Sequence, residues 1–84
     1  MSADTFAFFR LKVVAEADAG ALMRVLERFH NMGVLPRRVI AEFTTTDLLS
    51  IQVDVAGVEE DRMSLIAAKL GQIPCISQAY WHYA

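Results

Sequence analysis

The chain has 84 residues, of which 55% are hydrophobic and 21% are charged, and its formal net charge at pH 7 is −2. This length accommodates one folded domain, spanning residues 1–84, and the apolar content excludes a disordered tail. The 8 basic residues are scattered, which argues against nucleic acid as a partner, and no apolar run is long enough to span a membrane.

The cysteine and histidine content argues against disulfides and metal sites. A single cysteine, Cys75, cannot form an internal bridge, and no cluster of Cys and His accompanies it. We interpret Cys75 as a small buried residue, with a reactive thiol as the alternative, and His30 as a solvated residue. With no basic residue before Phe6, the chain does not begin like a signal peptide, so we expect a cytoplasmic protein without a cofactor.

The first predicted element is a strand that begins near Phe6 and continues to about residue 16. Apolar and charged side chains alternate in its second half, which is typical of a strand with one buried face. The buried face is predicted to contain Phe9, Leu11, Val13 and Ala15, and the open face Arg10 and Lys12.

An amphipathic helix is predicted next. Asp18 lies where a side-chain N-cap is expected, and Gly33 where a left-handed residue ends many helices. The apolar side of this helix is predicted from the spacing of Leu22, Val25, Leu26, Phe29 and Met32.

Two strands joined by a short turn follow the helix. Pro36 favours an extended chain before the second strand, which should start near Arg38 and continue to about residue 45, and Thr46 and Asp47 form the turn. The third strand has the clearest alternation in the sequence, with Leu49, Ile51, Val53 and Val55 against Ser50, Gln52 and Asp54.

The last two predicted elements are a second helix and a fourth strand. Acidic residues 59–61 suit the first turn of a helix, and Gly71 and Pro74 mark its end. Its apolar side should contain Met63, Ile66, Ala67 and Leu70. In the strand at residues 76–83, Ala79, Trp81 and Tyr83 alternate with Tyr80 and His82.

The order of these elements predicts a ferredoxin-like α+β fold. Shifting the apolar stripe of the first helix by 41 positions places it on that of the second, which indicates a duplicated βαβ unit. Right-handed crossovers then give a four-stranded antiparallel sheet of order 4-1-3-2, with both helices on one face and Arg10, Lys12, Gln52 and Asp54 on the other.

The sequence contains no evident catalytic or metal-binding constellation. Base stacking needs aromatic residues on the open face of the third strand, which has none, and metal chaperones need paired cysteines. Acyl-phosphate hydrolysis needs a basic cradle, whereas the first loop carries Glu16 and Asp18.

Residues 17–26, with the sequence ADAGALMRVL, together with Phe29 and Gly33, resemble the strand-to-helix turn of the ACT domain family. Residues 70–76, LGQIPCI, are similar to the family's last helix-to-strand junction. The resemblance implies a non-catalytic regulatory module that binds an amino acid. Within the family, the small regulatory subunit of acetolactate synthase is most similar, which implies a thiamine-dependent catalytic subunit as partner and a role in branched-chain amino-acid biosynthesis. The alternative is a stand-alone homodimer that senses a small ligand or serves only in assembly.

A ligand site is predicted at the seam of a homodimer. A glycine lets a ligand approach the backbone, and free amides at a helix start can bind a carboxylate, although Asp18 and Gly20 could equally serve only as a cap and a tight turn. Ala17 and Leu35 stand where the family has polar residues, so we expect millimolar binding of a branched-chain amino acid, or none. The predicted ligand-binding residues are Asp18, Ala19, Gly20, Ala21 and Leu22 of one chain and Val34 and Leu35 of the other.

We expect the homodimer to form through the second strand. This strand is a sheet edge in the predicted topology, and its apolar residues Val39, Ile40, Ala41 and Phe43 do not protect the edge against pairing. Arg37 and Arg38 should lie at the rim of this interface. A second candidate interface consists of aromatic residues, some of which must face the open side of the sheet: Phe6, Phe8, Tyr80 and Trp81.

Overall fold

All six predicted elements occur in the predicted order in the structure, a computed structural model that describes residues 8–84. The elements are β1 (Phe8–Glu16), α1 (Ala21–Asn31), β2 (Arg38–Phe43), β3 (Leu48–Ala56), α2 (Glu60–Gly71) and β4 (Ile76–Tyr83). The second strand ends two residues earlier than predicted, and the predicted start of the first strand at Phe6 lies outside the described residues.

The four strands form an antiparallel sheet of order β2-β3-β1-β4. At the centre of the sheet, Leu11 of β1 lies opposite Val53 of β3 and Trp81 of β4. The predicted ferredoxin-like α+β fold is therefore confirmed.

One face of the sheet packs against both helices and forms the hydrophobic core. The alternation predicted for β1 and β3 is confirmed, because their core-facing residues are buried from Phe9 to Ala15 and from Ile51 to Val55. The buried side of α1 contains Ala21, Val25 and Phe29, whereas Leu22 and Met32 of the predicted apolar side are only partly buried. The helices contribute Ala21, Val25, Phe29, Met63, Ile66 and Leu70 to this core.

The two ends of α1 differ in how well the sequence predicted them. Gly33 has φ +70° and its N–H donates to the carbonyl of His30 at 3.0 Å, which confirms the left-handed helix end. The predicted cap at Asp18 is wrong, since the N-cap is Gly20 and no side chain caps the helix. Asp18 precedes the N-cap by two residues, where its carboxylate reaches the amide of Gly20 rather than those of the first turn.

Candidate ligand-binding site

The turn between β1 and α1, residues 17–20, is held at one end of the sheet by hydrogen bonds from its first residue and from the preceding Glu16 to two other loops. The N–H of Glu16 donates to the carbonyl of Cys75 at 2.8 Å, just before β4. The N–H of Ala17 donates to the carbonyl of Asp47 at 3.0 Å, in the turn between β2 and β3. The turn therefore lies beside the end of the β2–β3 hairpin.

Asp18, Gly20 and Arg24 form a charged cluster at the start of α1. One carboxylate oxygen of Asp18, Oδ1, accepts the N–H of Gly20 at 3.2 Å, and the other, Oδ2, lies 3.2 Å from Nη1 of Arg24. The side chains of Arg24 and Asp18 remain 52% and 48% exposed. The backbone thus fixes one oxygen of Asp18, while an exposed ion pair holds the other.

The guanidinium of Arg24 lies over the backbone of Gly20. A Cβ atom added to Gly20 would be 3.6 Å from Cζ of Arg24, which is ordinary van der Waals contact. The glycine conformation, with φ −85° and ψ −7°, is open to any residue. Gly20 is therefore not required by the backbone, and its importance would come from the space that it leaves beside Arg24.

The amides at the helix start that are predicted to bind a carboxylate are those of Gly20, Ala21 and Leu22, and the first two are already engaged. The N–H of Gly20 donates to the Asp18 side chain and that of Ala21 to the Asp18 carbonyl, at 3.0 Å. Within residues 8–84 no acceptor is found for the N–H of Leu22 or Met23. An incoming carboxylate can therefore meet Arg24 and the amides of Leu22 and Met23 without breaking a backbone hydrogen bond.

Cys75 is buried, as predicted, and contacts the same arginine. Its Sγ lies 3.7 Å from Nη1 of Arg24, so the guanidinium bridges Asp18 and the start of β4. No local sequence pattern predicts this contact, because the two residues are 51 positions apart. His30 is exposed on α1, as predicted.

The second part of the predicted site, Val34 and Leu35 in the segment 33–36, lies at the other end of α1. A helix of 11 residues separates it from the Gly20 turn of the same chain, a rise of about 16 Å. Leu35 is 86% exposed, and with Val34 it lines an open cleft of about 470 Å³ against the loop between β3 and α2. The opposite wall of this cleft is formed by Gly57, Val58 and Glu59, which were not predicted as site residues.

The edge strand β2 presents apolar side chains to solvent. It pairs only with β3 in the described sheet, and Phe43 is 69% exposed. Val39 is also exposed, on the same side of the strand as Phe43. This edge matches the exposed strand that the sequence predicted.

The sheet face opposite the helices contains a partly buried ion pair between Arg10 and Asp54. Nε and Nη2 of Arg10 lie 2.9 and 3.2 Å from the two carboxylate oxygens of Asp54, which is only 7% exposed. These hydrogen bonds lower the pKa of Asp54 below its ordinary value of 3.8. The predicted open-face position of Asp54 is confirmed, but Arg10 covers it.

The predicted aromatic interface is divided between the two faces of the sheet. Tyr80 pairs with Lys12 on the open face, where Phe8 also lies by alternation. Trp81 instead packs edge-on against Phe9 on the helix face, with ring centroids 5.2 Å apart. Phe6 lies outside the described residues.

Neither helix in the described part of the chain is long and apolar enough to cross a membrane. Residues 8–84 also contain no group of three or more His, Cys, Asp or Glu side chains that could hold a metal ion.

Comparison with known proteins identifies the family. A family model described as an ACT-like domain matches residues 2–84. No curated protein matches the sequence.

Several solved structures share the fold at low sequence identity. The C-terminal domain of the MgtC protein from Mycobacterium tuberculosis has a TM-score of 0.80 at 11% identity, covering 100% of this chain and 94% of that one. The ACT domain of the GTP pyrophosphokinase of Chlorobium tepidum has a TM-score of 0.78 at 10% identity, covering 93% and 100%. An uncharacterised protein of Thermotoga maritima has a TM-score of 0.73 at 20% identity, covering 93% and 96%. These similarities show the fold alone, but the family model spans nearly the whole sequence. The chain therefore belongs to the ACT-like domain family of small regulatory ligand-binding modules.

Proposed function

We propose that this domain forms a homodimeric regulatory module that binds a free amino acid at the seam between its two chains. The observation that carries the proposal is the exposed pair of Asp18 and Arg24 beside Gly20 at the start of α1. An amino acid carries a carboxylate and an ammonium group on one carbon atom. The two charged side chains are complementary to these two groups.

Arg24 can exchange Asp18 for a ligand carboxylate at little cost, because the existing ion pair is weak. An exposed ion pair contributes little to stability, so little free energy is lost when Arg24 turns to a ligand carboxylate. The amides of Leu22 and Met23 and the positive end of the α1 dipole favour the same anion. Oδ2 of Asp18, released by Arg24, then accepts the ligand ammonium while Oδ1 stays on Gly20.

The homodimer is supported by the apolar edge of β2. A two-fold axis normal to the sheet pairs identical edge strands in antiparallel orientation. The partner's β2 then begins where this chain's β2 ends, which is the end of the sheet that holds the Gly20 turn through Ala17 and Asp47. The partner's residues 33–36 would lie beside that turn.

The apolar residues Val34 and Leu35 of the partner would face the ligand side chain in this dimer. An aliphatic side chain gains from such contact, whereas a charged one loses hydration. Branched-chain amino acids are therefore the preferred ligands. Since Ala17 and Leu35 supply no polar anchor, the affinity should be millimolar, equivalent to about 4 kcal/mol.

We further propose that the regulated enzyme is an acetolactate synthase. The stretch Gly20, Ala21, Leu22, Arg24 and Val25 supports a catalytic subunit of acetolactate synthase as the partner. The test is to mix this chain with such a subunit and to measure co-purification and activity with and without valine. Absence of both effects would refute this partner and leave the amino-acid site untouched.

Asp18 also favours a second candidate, a dimer that serves only in assembly. Its carboxylate already occupies the guanidinium of Arg24 and the amide of Gly20, which a ligand would otherwise use. Calorimetry separates the two functions. Heat on titration with valine, leucine or isoleucine supports sensing, and its absence up to about 50 mM, well above a millimolar Kd, supports assembly.

Valine and isovalerate provide a sharper test, because isovalerate lacks only the ammonium group. We expect wild-type protein to bind valine more tightly than isovalerate, and Asp18→Asn to lose this preference. Asp47→Asn, a neutralised carboxylate in the neighbouring turn, is the matched control and should keep it. Equal binding of both compounds by the wild type would refute the role of Asp18.

A further inference from the structure

The open face of the sheet has a concentration of positive charge at one end. Lys12 and Arg38 have no ion-pair partner among residues 8–84, and Arg10 is paired only with the buried Asp54. The strand pairing gives two adjacent rows across β4, β1, β3 and β2, which are His82, Arg10, Asp54 and Arg38, then Tyr80, Lys12, Gln52 and Ile40. We call this surface the basic face.

The basic face has three cations and one carboxylate, on a chain whose net charge is −2. The following row, toward the other end of β2, contains Glu42 and no cation. The positive charge is therefore localised, and it should attract an anionic group to one end of the sheet.

Asp54 fixes the guanidinium of Arg10 in one orientation. A guanidinium has five N–H donors, and the carboxylate uses Nε and one hydrogen of Nη2. The remaining donors belong to a side chain that is still 33% exposed. Arg10 thus presents oriented donors that need no further ordering when an acceptor arrives.

Aromatic residues beside the cations favour a protein partner. Tyr80 is exposed next to Lys12, and the guanidinium of Arg37 lies 5.5 Å from the ring centroid of Phe8. Arginine and tyrosine are enriched at the centres of protein interfaces. A nucleic acid is disfavoured because the central strand β3 offers only Ser50, Gln52 and Asp54 on this side, so the middle of the face lacks a ring on which a base could stack.

We propose that the basic face docks an acidic segment of a partner protein, whose carboxylates bind Arg10, Lys12 and Arg38 while an apolar residue packs on Tyr80. This surface uses none of the residues assigned to the amino-acid site. The inference therefore goes beyond the regulatory proposal, and either can fail without the other.

Fluorescence anisotropy with a labelled deca-glutamate peptide tests this inference, and a labelled deca-thymidine oligonucleotide of similar charge serves as the comparison. We expect wild-type protein to bind the peptide in 50 mM salt, more tightly than the oligonucleotide. Lys12→Gln and Arg38→Gln should each weaken peptide binding roughly threefold, as for one charge pair at an interface rim.

Lys69→Gln, on α2, is the matched control, because it removes the same charge from a different face. It should change the affinity much less than Lys12→Gln. Gly20→Asp, in the amino-acid site, should be nearly neutral for the peptide. No binding of the peptide, equal effects of the two lysine substitutions, or tighter binding of the oligonucleotide would each overturn the inference.

Discussion

Arg10 and Asp54 form a two-point ion pair between adjacent strands, with contacts of 2.9 and 3.2 Å, and Asp54 is only 7% exposed. A charge buried in this way is stable only while its partner is present, because an isolated carboxylate away from water has a large desolvation penalty. Asp54 therefore lies on the open face of the sheet and also contributes to the stability of the sheet.

The pair predicts a pH-dependent stability. The pKa of Asp54 lies below 3.8 in the folded chain. The ionised side chain therefore stabilises the fold fully above pH 3.8, and this stabilisation is lost as the pH falls through the pKa of the folded state. At pH 7, Asp54→Asn should lower the free energy of unfolding by about 1–2 kcal/mol. Urea unfolding from pH 7 down to pH 2 should show the difference shrinking below about pH 4, near the unfolded pKa. A difference that stays constant over this range would show that charge is not its cause, and Asp47→Asn provides the exposed control.

Gly20→Asp should abolish amino-acid binding and leave the fold intact. The backbone at Gly20 accepts any residue, and an added Cβ meets only ordinary van der Waals contacts, so thermal unfolding should be nearly unchanged. The new carboxylate would occupy Arg24 and repel the ligand. Gly20→Ala adds the same Cβ without the charge and should weaken calorimetric binding less. Unchanged binding in Gly20→Asp would mean that the ligand binds elsewhere.

Phe43→Glu should dissociate the proposed dimer. Phe43 is 69% exposed in the single chain, so the substitution removes little packing within the domain, whereas in the dimer it buries a charge beside an apolar edge. Sedimentation velocity should find wild-type dimers and variant monomers at micromolar concentration. Leu65→Glu changes another exposed apolar residue, on α2, and should remain dimeric. A monomeric wild type would contradict the proposed seam.

Leu35→Asn should tighten the binding of branched-chain amino acids. Leu35 is 86% exposed, so an amide there does not disturb the core, and beside the partner's Gly20 turn it could form a hydrogen bond with the ligand. Such a bond contributes about 1 kcal/mol, which is roughly a fivefold change in Kd measured by calorimetry. Leu65→Asn should leave the Kd unchanged. Equal binding by wild type and Leu35→Asn would remove residues 33–36 from the site.

The sequence predicted the elements that bury one face of a regular pattern. Alternation in β1 and β3 identified the core residues because each strand has helices on one side only. The sequence could not predict that Asp54 is buried, since alternation assigns it to the open face and its cover, Arg10, is 44 positions away. The arrangement of the strands brings the two together.

The candidate site was predicted less completely than the fold. Glycine and aspartate before an amphipathic stretch located the turn, but Asp18 and Gly20 are both suitable caps, and local preference did not distinguish them. The contact between Arg24 and Cys75 depends on how the two halves of the domain meet. A single sequence has no periodicity that reports such a contact.

The length of α1 has a consequence for how a sensor of this kind would respond to its own abundance. The helix places the charged turn and residues 33–36 about 16 Å apart, too far for one amino acid to touch both in a single chain. If the two are brought together only by a second copy, ligand binding and association become one linked equilibrium. A more dilute protein would then need a higher amino-acid concentration to respond, so the threshold of the response would depend on how much of the protein the cell makes.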